Sequence, residues 1–367
     1  IRTMNYCQKI HYNIFQTSQT DFNSAVDELL ACIPQNEVVL RLVFFGMPLS
    51  NSQYLERRLL IREKIRHRYQ QMEPALTYVA QPPLGATLIM EVHSYVPEAD
   101  DSIVFRHYEG TPYVLLENKE MRCLYAGGFQ EDILMFGIRQ QASGVFRCLG
   151  ELLRKEGFPV NSIIRQWNYI ERITDFDGSD QRYQMFNNAR SEFYGPADWS
   201  NGYPAATGIG ADLGGLVVDV DAVVFKQKDC FATPIDNKLQ IAAHAYSEKV
   251  LEKAGMQKTT PKFERAKRLT SGNNNMIYIS GTAAIRGEET LIGVGLERQL
   301  HITMENIAEL IGDAKIKMLR VYLKDRSFYE EAKQLLDAYN LNIPISYMCT
   351  DVCREELLIE IEGIAMK

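Results

Sequence analysis

The chain has 367 residues, of which 46% are hydrophobic and 24% are charged, and its formal net charge at pH 7 is −7. A chain of this length and composition can bury a large core and is expected to hold two or three domains. The acidic balance argues against nucleic acid as the main partner, because phosphate neutralisation needs a basic surface. No apolar run approaches membrane-spanning length, so we expect no membrane partner.

The first 105 residues are predicted to form one α+β unit. Residues 26–33 end a helix, residues 37–47 form a strand, residues 52–72 form a long helix, and residues 85–96 form a closing strand. Side chains alternate between the two faces of a strand, so Glu91 and His93 lie on the same face.

Residues 106–228 repeat this series in a middle unit. The predicted order is a strand and bend at 121–132, a helix at 137–157, a strand at 162–173, a helix at 181–195 and a closing strand that ends at Phe225. When the closing strands are aligned without gaps, Asp219 and Asp221 fall on Glu91 and His93. Residues 229–274 follow as a linker with an extra helix at 239–255, which is expected to pack against the units.

Residues 275–367 form the third unit. A strand at 275–287 leads into a glycine-rich bend, and a helix at 295–312, a strand at 318–325 and a helix at 327–340 follow. The closing strand places Glu360 and Glu362 on one face, at the positions of Glu91 and His93. Two carboxylates one pleat apart repel each other, so a positive or reacting group is expected opposite them. The wet outer face of a sheet is the alternative explanation.

Three such units predict mixed sheets, each covered on one face by two helices. The faces that carry the acids would be hidden if the three sheets meet around a central axis.

Five motifs then point to a family: WNYIERI with RYQMFNNAR (167–190), YPAATGIGA (203–211), PKFERA (261–266), SGTAAIRG (280–287) and the terminal CxxxCREELLIEIEG (349–363). Together they resemble the chorismatases, which are chorismate-acting relatives of the RidA (YjgF) proteins, over roughly residues 112–367. The resemblance implies RidA/chorismate-mutase-like units in a covalent pseudo-trimer with clefts between units. We therefore expect a monomer or weak dimer, with the active cleft between the last and middle units.

The resemblance implies that a carboxylic acid protonates the methylene carbon of chorismate's enolpyruvyl group, after which pyruvate leaves. Glu360 stands at the matching position. Such an acid must be protonated at neutral pH, and burial beside Glu362 would raise its pKa. The second product, which is 3- or 4-hydroxybenzoate or a dihydroxycyclohexadiene carboxylate, stays open. Glu288 and Glu289 depart from the family pattern and add to that uncertainty.

A dianionic substrate needs planar, bidentate donors, so Arg190 and Arg265 are predicted to bind its carboxylates. Tyr183 and Tyr194 flank Arg190 at helical spacing, and they could shape the same cleft or face the core. Glu362 completes the expected charge pattern beside the substrate.

Small residues in the bend at Gly281, Thr282 and Ala283 could let backbone N–H groups approach a ligand carboxylate, or they could simply form a tight turn. Cys349 is predicted to line the pocket rather than to act as a nucleophile, because no base is placed beside it.

No cofactor or metal is expected. The GxG of Gly208 and Gly210 lacks a third glycine and a following helix, which argues against a nucleotide site. Cys349 and Cys353 have no second Cys or His pair nearby, which argues against zinc. The seven cysteines are odd in number and scattered, and the N-terminus has no secretory segment, so a cytoplasmic protein is expected.

Two other functions remain open. A RidA-like deaminase of enamines or imines relies on an arginine before the closing strand, and the matching residues 343–351 contain none. A non-catalytic protein that binds a small acid on the same scaffold would bind without turnover.

Overall fold

The computed structural model describes residues 4–251 and 258–367. These residues form three mixed β-sheets with helices packed on them, so the predicted α+β class is confirmed. None of the described helices is long and apolar enough to cross a membrane.

The first sheet holds four strands, and the predicted helices and strands are all present. Its elements are α1 (Tyr6–Lys9), β1 (Ile10–Thr17), α2 (Phe22–Ala31), β2 (Val38–Phe45), α3 (Asn51–Tyr69), β3 (Ala75–Val79) and β4 (Leu88–Tyr95). The strand order is β1-β4-β2-β3, and β2 and β3 are parallel.

The second sheet has six strands in the order β11-β8-β12-β7-β6-β5. Its elements are β5 (Ser102–Tyr108), β6 (Thr111–Glu117), β7 (Met121–Phe129), α4 (Ile138–Glu156), β8 (Ile163–Glu171), β9 (Phe176–Asp177), β10 (Asp180–Gln181), α5 (Arg182–Tyr194), β11 (Ala205–Ala211) and β12 (Leu216–Phe225), of which β9 and β10 form a separate small hairpin. The predicted boundary between residues 105 and 106 falls inside β5, so it is misplaced by a few residues.

The third sheet has six strands in the order β13-β14-β15-β20-β18-β19. Its elements are β13 (Cys230–Ile235), β14 (Ala266–Ser271), β15 (Asn274–Ala283), β16 (Ile285–Arg286), β17 (Glu289–Thr290), α6 (Gly295–Ile311), β18 (Lys315–Leu323), α7 (Tyr329–Asp337), β19 (Ile345–Cys349) and β20 (Ile359–Met366), of which β16 and β17 pair apart from the sheet. Strands β13 and β14 fall in the predicted linker and extend this sheet.

The extra helix predicted at 239–255 is wrong as far as the described residues reach. Residues 239–251 contain two short 3-10 turns, Ala243–Ala245 and Glu248–Val250, instead of an α-helix. Backbone hydrogen bonds tie Ile241 and Leu239 to Gly287, at 2.8 and 2.9 Å, and these tertiary contacts outweigh the helical propensity of the segment. The last part of the prediction, residues 252–255, lies outside the described residues.

The three sheets share one unit of four strands and two helices. Its strands are β1, β2, β3 and β4 in the first sheet, β7, β8, β11 and β12 in the second, and β15, β18, β19 and β20 in the third, always in the spatial order 1-4-2-3. The third strand of each unit was not predicted. The reason is visible in β3, whose five residues are all buried, and in β11, which consists mostly of small residues, because neither shows polar alternation.

The closing strands β4, β12 and β20 turn their acidic faces into the interior. Each strand has an arginine of its own sheet opposite its second charged position: Arg41 opposite His93, Arg165 opposite Asp221, and Arg320 opposite Glu362. All three arginines are at most 1% exposed. The positive group that carboxylate repulsion called for is therefore supplied by the neighbouring strand.

These arginines also join one sheet to the next. Arg41 binds Asp221 of the second sheet, Arg165 lies 3.2 Å from Glu362 of the third, and Arg320 binds Glu91 of the first. The ring of Trp167 lies among them, with the three guanidinium carbons 5.1, 4.5 and 5.6 Å from its centroid. The acidic faces thus meet around a buried cluster of three arginines, whose ion pairs connect each sheet to the next.

Candidate active site

A cleft lies where the second and third sheets meet. Its wall is formed by α5 and β11 from the second sheet, by β15 and β20 from the third, and by a further set of residues between them, which are Tyr246, Val250, Leu251, Pro261, Phe263 and Arg265. This is the cleft between the last and middle units, where the sequence predicted the site.

Glu360 lies in the wall of this cleft and is 4% exposed. Among the described residues, its Oε2 atom has no hydrogen-bond partner. Burial, and next the charge of Glu362, raise the pKa of Glu360 to about 8, although Arg165 and Arg265 act in the opposite direction. The carboxyl group is therefore protonated at neutral pH and can donate a proton into the cleft.

Gly281 leaves room for this side chain. A methyl group added at Gly281 would lie 2.8 Å from Oε2 of Glu360 and would displace the carboxyl group. Gly281 and Ala283 both line the cleft, whereas Thr282 points to the other face of β15 and donates a 2.8 Å hydrogen bond to Ser280 O. The side chain of Thr282 therefore does not line this cleft.

The backbone N–H of Gly281 is not free for a ligand, which favours the tight turn among the two alternatives that the sequence left open. It donates to Thr207 Oγ1 at 3.1 Å, and the same oxygen accepts a 2.8 Å hydrogen bond from Arg165. The bend thus connects the cleft to the central arginines, and its small residues serve to make space for Glu360.

Glu362 lies inward of the cleft, next to the central arginines. It accepts hydrogen bonds from Trp167 Nε1 at 2.8 Å and Tyr322 Oη at 3.1 Å, and it pairs with Arg165 at 3.2 Å and Arg320 at 3.5 Å. These partners occupy its oxygens, so Glu362 affects Glu360 through its charge and is not placed to bind substrate. This arrangement does not support its predicted binding role.

Two guanidinium groups line the cleft, those of Arg265 and Arg354. Arg265 donates to Ile241 O at 2.9 Å and to the hydroxyl of Tyr246. Arg354 donates to Glu288 O and to Thr290 Oγ1, both at 2.9 Å. Arg354 was missed in the sequence, although it lies inside the terminal motif that carries the family resemblance.

Arg190 lies behind the wall rather than in it. It is 1% exposed and donates a 2.8 Å hydrogen bond to Asn187, which does line the cleft. Its guanidinium carbon lies 5.1 Å from the ring of Phe186 and 6.0 Å from that of Phe263. Arg190 is therefore not placed to contact a ligand in the cleft directly. It contacts the cleft wall through its hydrogen bond to Asn187.

The two tyrosines of α5 have different environments. Tyr183 lines the cleft, and its ring fits against Gly208, where an added methyl group would lie 2.9 Å from the ring. Tyr194 faces the core, where its hydroxyl donates to Gln166 at 2.5 Å and its ring lies 4.6 Å from that of Trp199. Of the alternatives left open by the sequence, Tyr183 takes the cleft and Tyr194 the core.

The cysteine of the cleft is Cys353, not Cys349. Cys349 ends β19, where its backbone N–H donates to Pro82 O at 2.9 Å and its thiol lies 3.8 Å from Lys324 O. Cys353 lines the cleft, and burial, followed by the charge of Glu360, raises its pKa to about 12. Its thiol is therefore neutral and forms part of the wall. The chain turns after β19, and the CxxxC spacing did not predict which cysteine the turn would bring inward.

Comparison with known proteins gives a class for this fold and cleft. The family described as "Chorismatase FkbO/Hyg5-like, N-terminal" matches residues 100–222. A crystal structure of a chorismatase superposes with a TM-score of 0.70 at 21% identity, covering 97% of this chain and 98% of that one. The chain has a chorismatase fold.

Two curated proteins are similar in sequence. A 3-hydroxybenzoate synthase from Streptomyces hygroscopicus is 28% identical over 237 residues, which cover 59% of this chain and 66% of that protein. A chorismatase from Streptomyces rapamycinicus is 28% identical over 246 residues, which cover 60% of this chain and 67% of that protein. The match therefore spans about two thirds of each relative, just under that share for the first. The predicted resemblance to chorismatases is confirmed.

Proposed function

We propose that this chain cleaves chorismate and releases pyruvate, with Glu360 as the proton donor. The observation that carries the proposal is a buried carboxyl group, protonated at neutral pH, with one oxygen unpaired among the described residues and a cleft in front of it. The similarity to proteins named as chorismatases and as a 3-hydroxybenzoate synthase supports it.

The first chemical step uses that proton. Glu360 donates it to the terminal methylene carbon of the enolpyruvyl group, and the π electrons of the enol ether form the new C–H bond. The neighbouring carbon becomes an oxocarbenium ion that the ether oxygen stabilises. The carboxylate left on Glu360 is the nearest base and can take a proton back when the adduct collapses to pyruvate.

The oxocarbenium ion can react in two ways. Water can add to the oxocarbenium carbon, and the resulting hemiketal collapses to pyruvate and a dihydroxycyclohexadiene carboxylate. Alternatively, the ring hydroxyl attacks the ring carbon that bears the ether oxygen; that C–O bond breaks, its electrons form the carbonyl of pyruvate, and opening of the resulting epoxide with loss of a ring proton gives a hydroxybenzoate. The neutral thiol of Cys353 contributes bulk beside Glu360 and no nucleophile. The product is left open between the two routes.

The guanidinium groups of the cleft bind the substrate in this proposal. Arg265 and Arg354 line the cleft and are the residues that we assign to the two carboxylates of chorismate. Arg190 adds positive charge behind Asn187, and the rings of Tyr183 and Phe263 supply apolar wall for the substrate ring.

The test is to incubate the purified protein with chorismate and to follow pyruvate with a coupled enzyme. Glu360→Gln, which keeps the shape but cannot donate an acidic proton, is assayed beside it. Pyruvate from the wild type and a rate at least about 10²-fold lower from the variant is the expected result, and chromatography of the ring product then separates the two routes. Absence of pyruvate from both proteins would refute the proposal.

A deaminase acting on an enamine or imine is the second candidate, favoured by one observation. The argument against it was the lack of arginine in residues 343–351, yet Arg354 follows three residues later and lines the cleft. Ammonium release from an enzymatically generated 2-imino acid, measured on the same preparation, distinguishes it from chorismate cleavage. Binding of a small acid with neither activity would favour the non-catalytic alternative.

A further inference from the structure

The segment between β13 and β14 is an insertion relative to the four-strand unit, and its described part borders the cleft. Residues 236–251, here called the strap, run from the end of β13 across the cleft. Tyr246, Val250 and Leu251 of the strap are part of the cleft wall. The strap therefore adds a wall to the Glu360 cleft that the repeated unit does not supply.

One end of the strap is held by the backbone. Ile241 N donates to Gly287 O at 2.8 Å, and Gly287 N donates to Leu239 O at 2.9 Å. The buried side chain of Asn237 also donates to Asn306 O, the backbone of α6, at 3.2 Å. This end is an integral part of the third sheet's surroundings.

The other end is held by side chains at the surface. The carboxylate of Glu288 accepts from the backbone N–H of Ser247 at 2.8 Å and from its hydroxyl at 2.6 Å. Lys249 pairs with Glu289 at 2.9 Å, but these side chains are 75% and 68% exposed, so the pair contributes little. Glu288, one of the two residues that depart from the family pattern, therefore fastens the strap at Ser247. His244 also fastens the strap, because its backbone O accepts from Thr260 Oγ1 at 2.9 Å and its ring Nε2 lies 3.3 Å from Glu264 Oε2.

Tyr246 lies between the two fastened ends and contacts both guanidinium groups of the cleft. Its hydroxyl accepts a hydrogen bond from Arg265. Its ring centroid lies 5.4 Å from the guanidinium carbon of Arg265 and 5.2 Å from that of Arg354. Arg354 in turn donates to the backbone carbonyl of Glu288. One aromatic ring thus holds two like charges on the same side of the cleft.

We propose that Tyr246 is a positioning residue that orients Arg265 and Arg354 for an anionic ligand, and that Glu288 keeps Tyr246 over the cleft. The inference rests on the proposed function in so far as the ligand is a dicarboxylate such as chorismate. Tyr246 acts on groups that bind and not on the proton donor, so its loss should raise KM and leave kcat nearly unchanged.

The experiment compares Tyr246→Ala, Tyr246→Phe and Glu288→Ala with the wild type. Loss of both ring contacts in Tyr246→Ala is expected to raise KM for chorismate about tenfold, with kcat within about threefold. Tyr246→Phe keeps the ring and should raise KM by only about threefold, the share of one hydrogen bond. Glu288→Ala should fall between them, and Glu288→Gln, which retains an acceptor oxygen for Ser247, should restore part of the loss.

Glu248→Gln is the matched control, because Glu248 is an exposed acid on the same strap beside Ser247. It is expected to leave KM unchanged. Unchanged KM in Tyr246→Ala, or a loss confined to kcat, would overturn the proposal, since Tyr246 would then not act through the binding cations.

The same variants are titrated calorimetrically with 3-hydroxybenzoate, which carries one carboxylate on its ring but contains no enolpyruvyl group. If the wild type shows no turnover but binds this monocarboxylate, the proposed function fails, and weaker binding in Tyr246→Ala still supports the positioning role. If the wild type binds neither chorismate nor 3-hydroxybenzoate, the positioning role fails as well, because the cleft then takes no such anion.

Discussion

Glu360 and Asp219 occupy the same position in two copies of one unit, yet their surroundings differ. Each lies on a closing strand with a glycine against it: Gly281 beside Glu360, and Gly127 beside Asp219, where an added methyl group would lie 2.7 Å from Oδ1. At Asp219, Oδ1 accepts from Thr77 Oγ1 at 2.6 Å and from Gly128 N at 2.8 Å. The threonine that corresponds to Thr77 beside Glu360 is Thr207, and its hydroxyl oxygen accepts hydrogen bonds from groups other than Glu360.

The two matching threonines bind different groups. Thr77 and Thr207 stand at matching positions of β3 and β11, as their strand partners show. Thr77 of the first sheet donates a hydrogen bond to Asp219 of the second sheet and so links the two sheets at this point. Thr207 of the second sheet instead accepts from Gly281 N and Arg165, so Glu360 of the third sheet stays without it.

The third copy is closed in another way. Glu91 accepts hydrogen bonds from Arg320 at 2.7 and 2.5 Å and from His93 at 2.7 Å. Burial would raise the pKa of Glu91, but Arg320 and His93 outweigh it and hold that pKa well below its usual range. One backbone pattern thus yields three different acids. Glu91 is an ionised structural acid, Asp219 is a buried acid with a raised pKa that is hydrogen-bonded through one oxygen, and Glu360 is an acid with a raised pKa at a cleft. The difference comes from what the adjacent sheet presents to each.

The sharpest way to break this comparison is to neutralise the two matched acids separately. Glu360→Gln is expected to lower kcat for pyruvate release by about 10²–10⁴-fold, the range for a lost general acid. Asp219→Asn should stay within about twofold of the wild type, because Asp219 serves packing between sheets. Equal losses in both, measured by the pyruvate assay, would contradict the assignment of a single reactive acid.

A matched pair of glycines gives the next largest effect. Gly281→Ala places a methyl group against Oε2 of Glu360 and should cost about 10²-fold in kcat, because displacement of the acid by about 1 Å is enough for such a loss. Gly127→Ala crowds Asp219 in the same way and should lower the melting temperature without a comparable effect on kcat per folded molecule. A kcat loss in Gly127→Ala as large as that in Gly281→Ala would count against the comparison.

The pH dependence of activity distinguishes Glu362 of β20 from Asp221 of β12. Glu360 donates as the protonated acid, so wild-type activity should be present below pH 8 and fall as the pH rises through about 8. Glu362→Gln removes the negative charge that raises this pKa, so the fall should move to lower pH. Asp221→Asn, the same change beside Arg41, should leave the midpoint in place. An unmoved midpoint in Glu362→Gln would show that burial alone sets the pKa.

The two neighbouring cysteines give the smallest effect. Cys353→Ala enlarges the cleft beside Glu360 and should lower kcat/KM by about tenfold, as for one small group lost from a pocket. Cys349→Ala lies at the end of β19 and should change kcat/KM by less than about twofold. Chromatography of the ring product, run on both variants, shows whether the wall beside Cys353 also influences which of the two routes is taken. A larger effect from Cys349→Ala would restore the original prediction for that residue.

Local pattern placed the acid that we propose as the proton donor, and the family resemblance supplied the proposed role. Alternation along residues 357–364 places Glu360 and Glu362 on one face, and the same alternation in the two other closing strands reveals the repeat. The helices α4 and α6 have hydrophobic stripes at the spacing of helical turns, so their positions were predicted within about two residues at each end. Period and register are properties of consecutive residues, which is why the sequence by itself determined them.

Contacts between distant segments decided the rest. Arg41, Arg165 and Arg320 stand in ordinary hydrophobic strands, and nothing near them in the chain indicates that they meet around Trp167. Cys349 and Cys353 are four residues apart, and the turn between them decides which of the two side chains lines the cleft.

The sequence alone determined that the chain has three closing strands with acidic side chains and that Glu360 lies on the last of them. Only the tertiary structure decided that Arg320 neutralises Glu91, that Thr77 binds Asp219, and that Glu360 remains protonated at a cleft. The physical reason is that the reactivity of a carboxyl group depends on its burial and on the charges and donors within a few ångströms, and those come here from a different sheet.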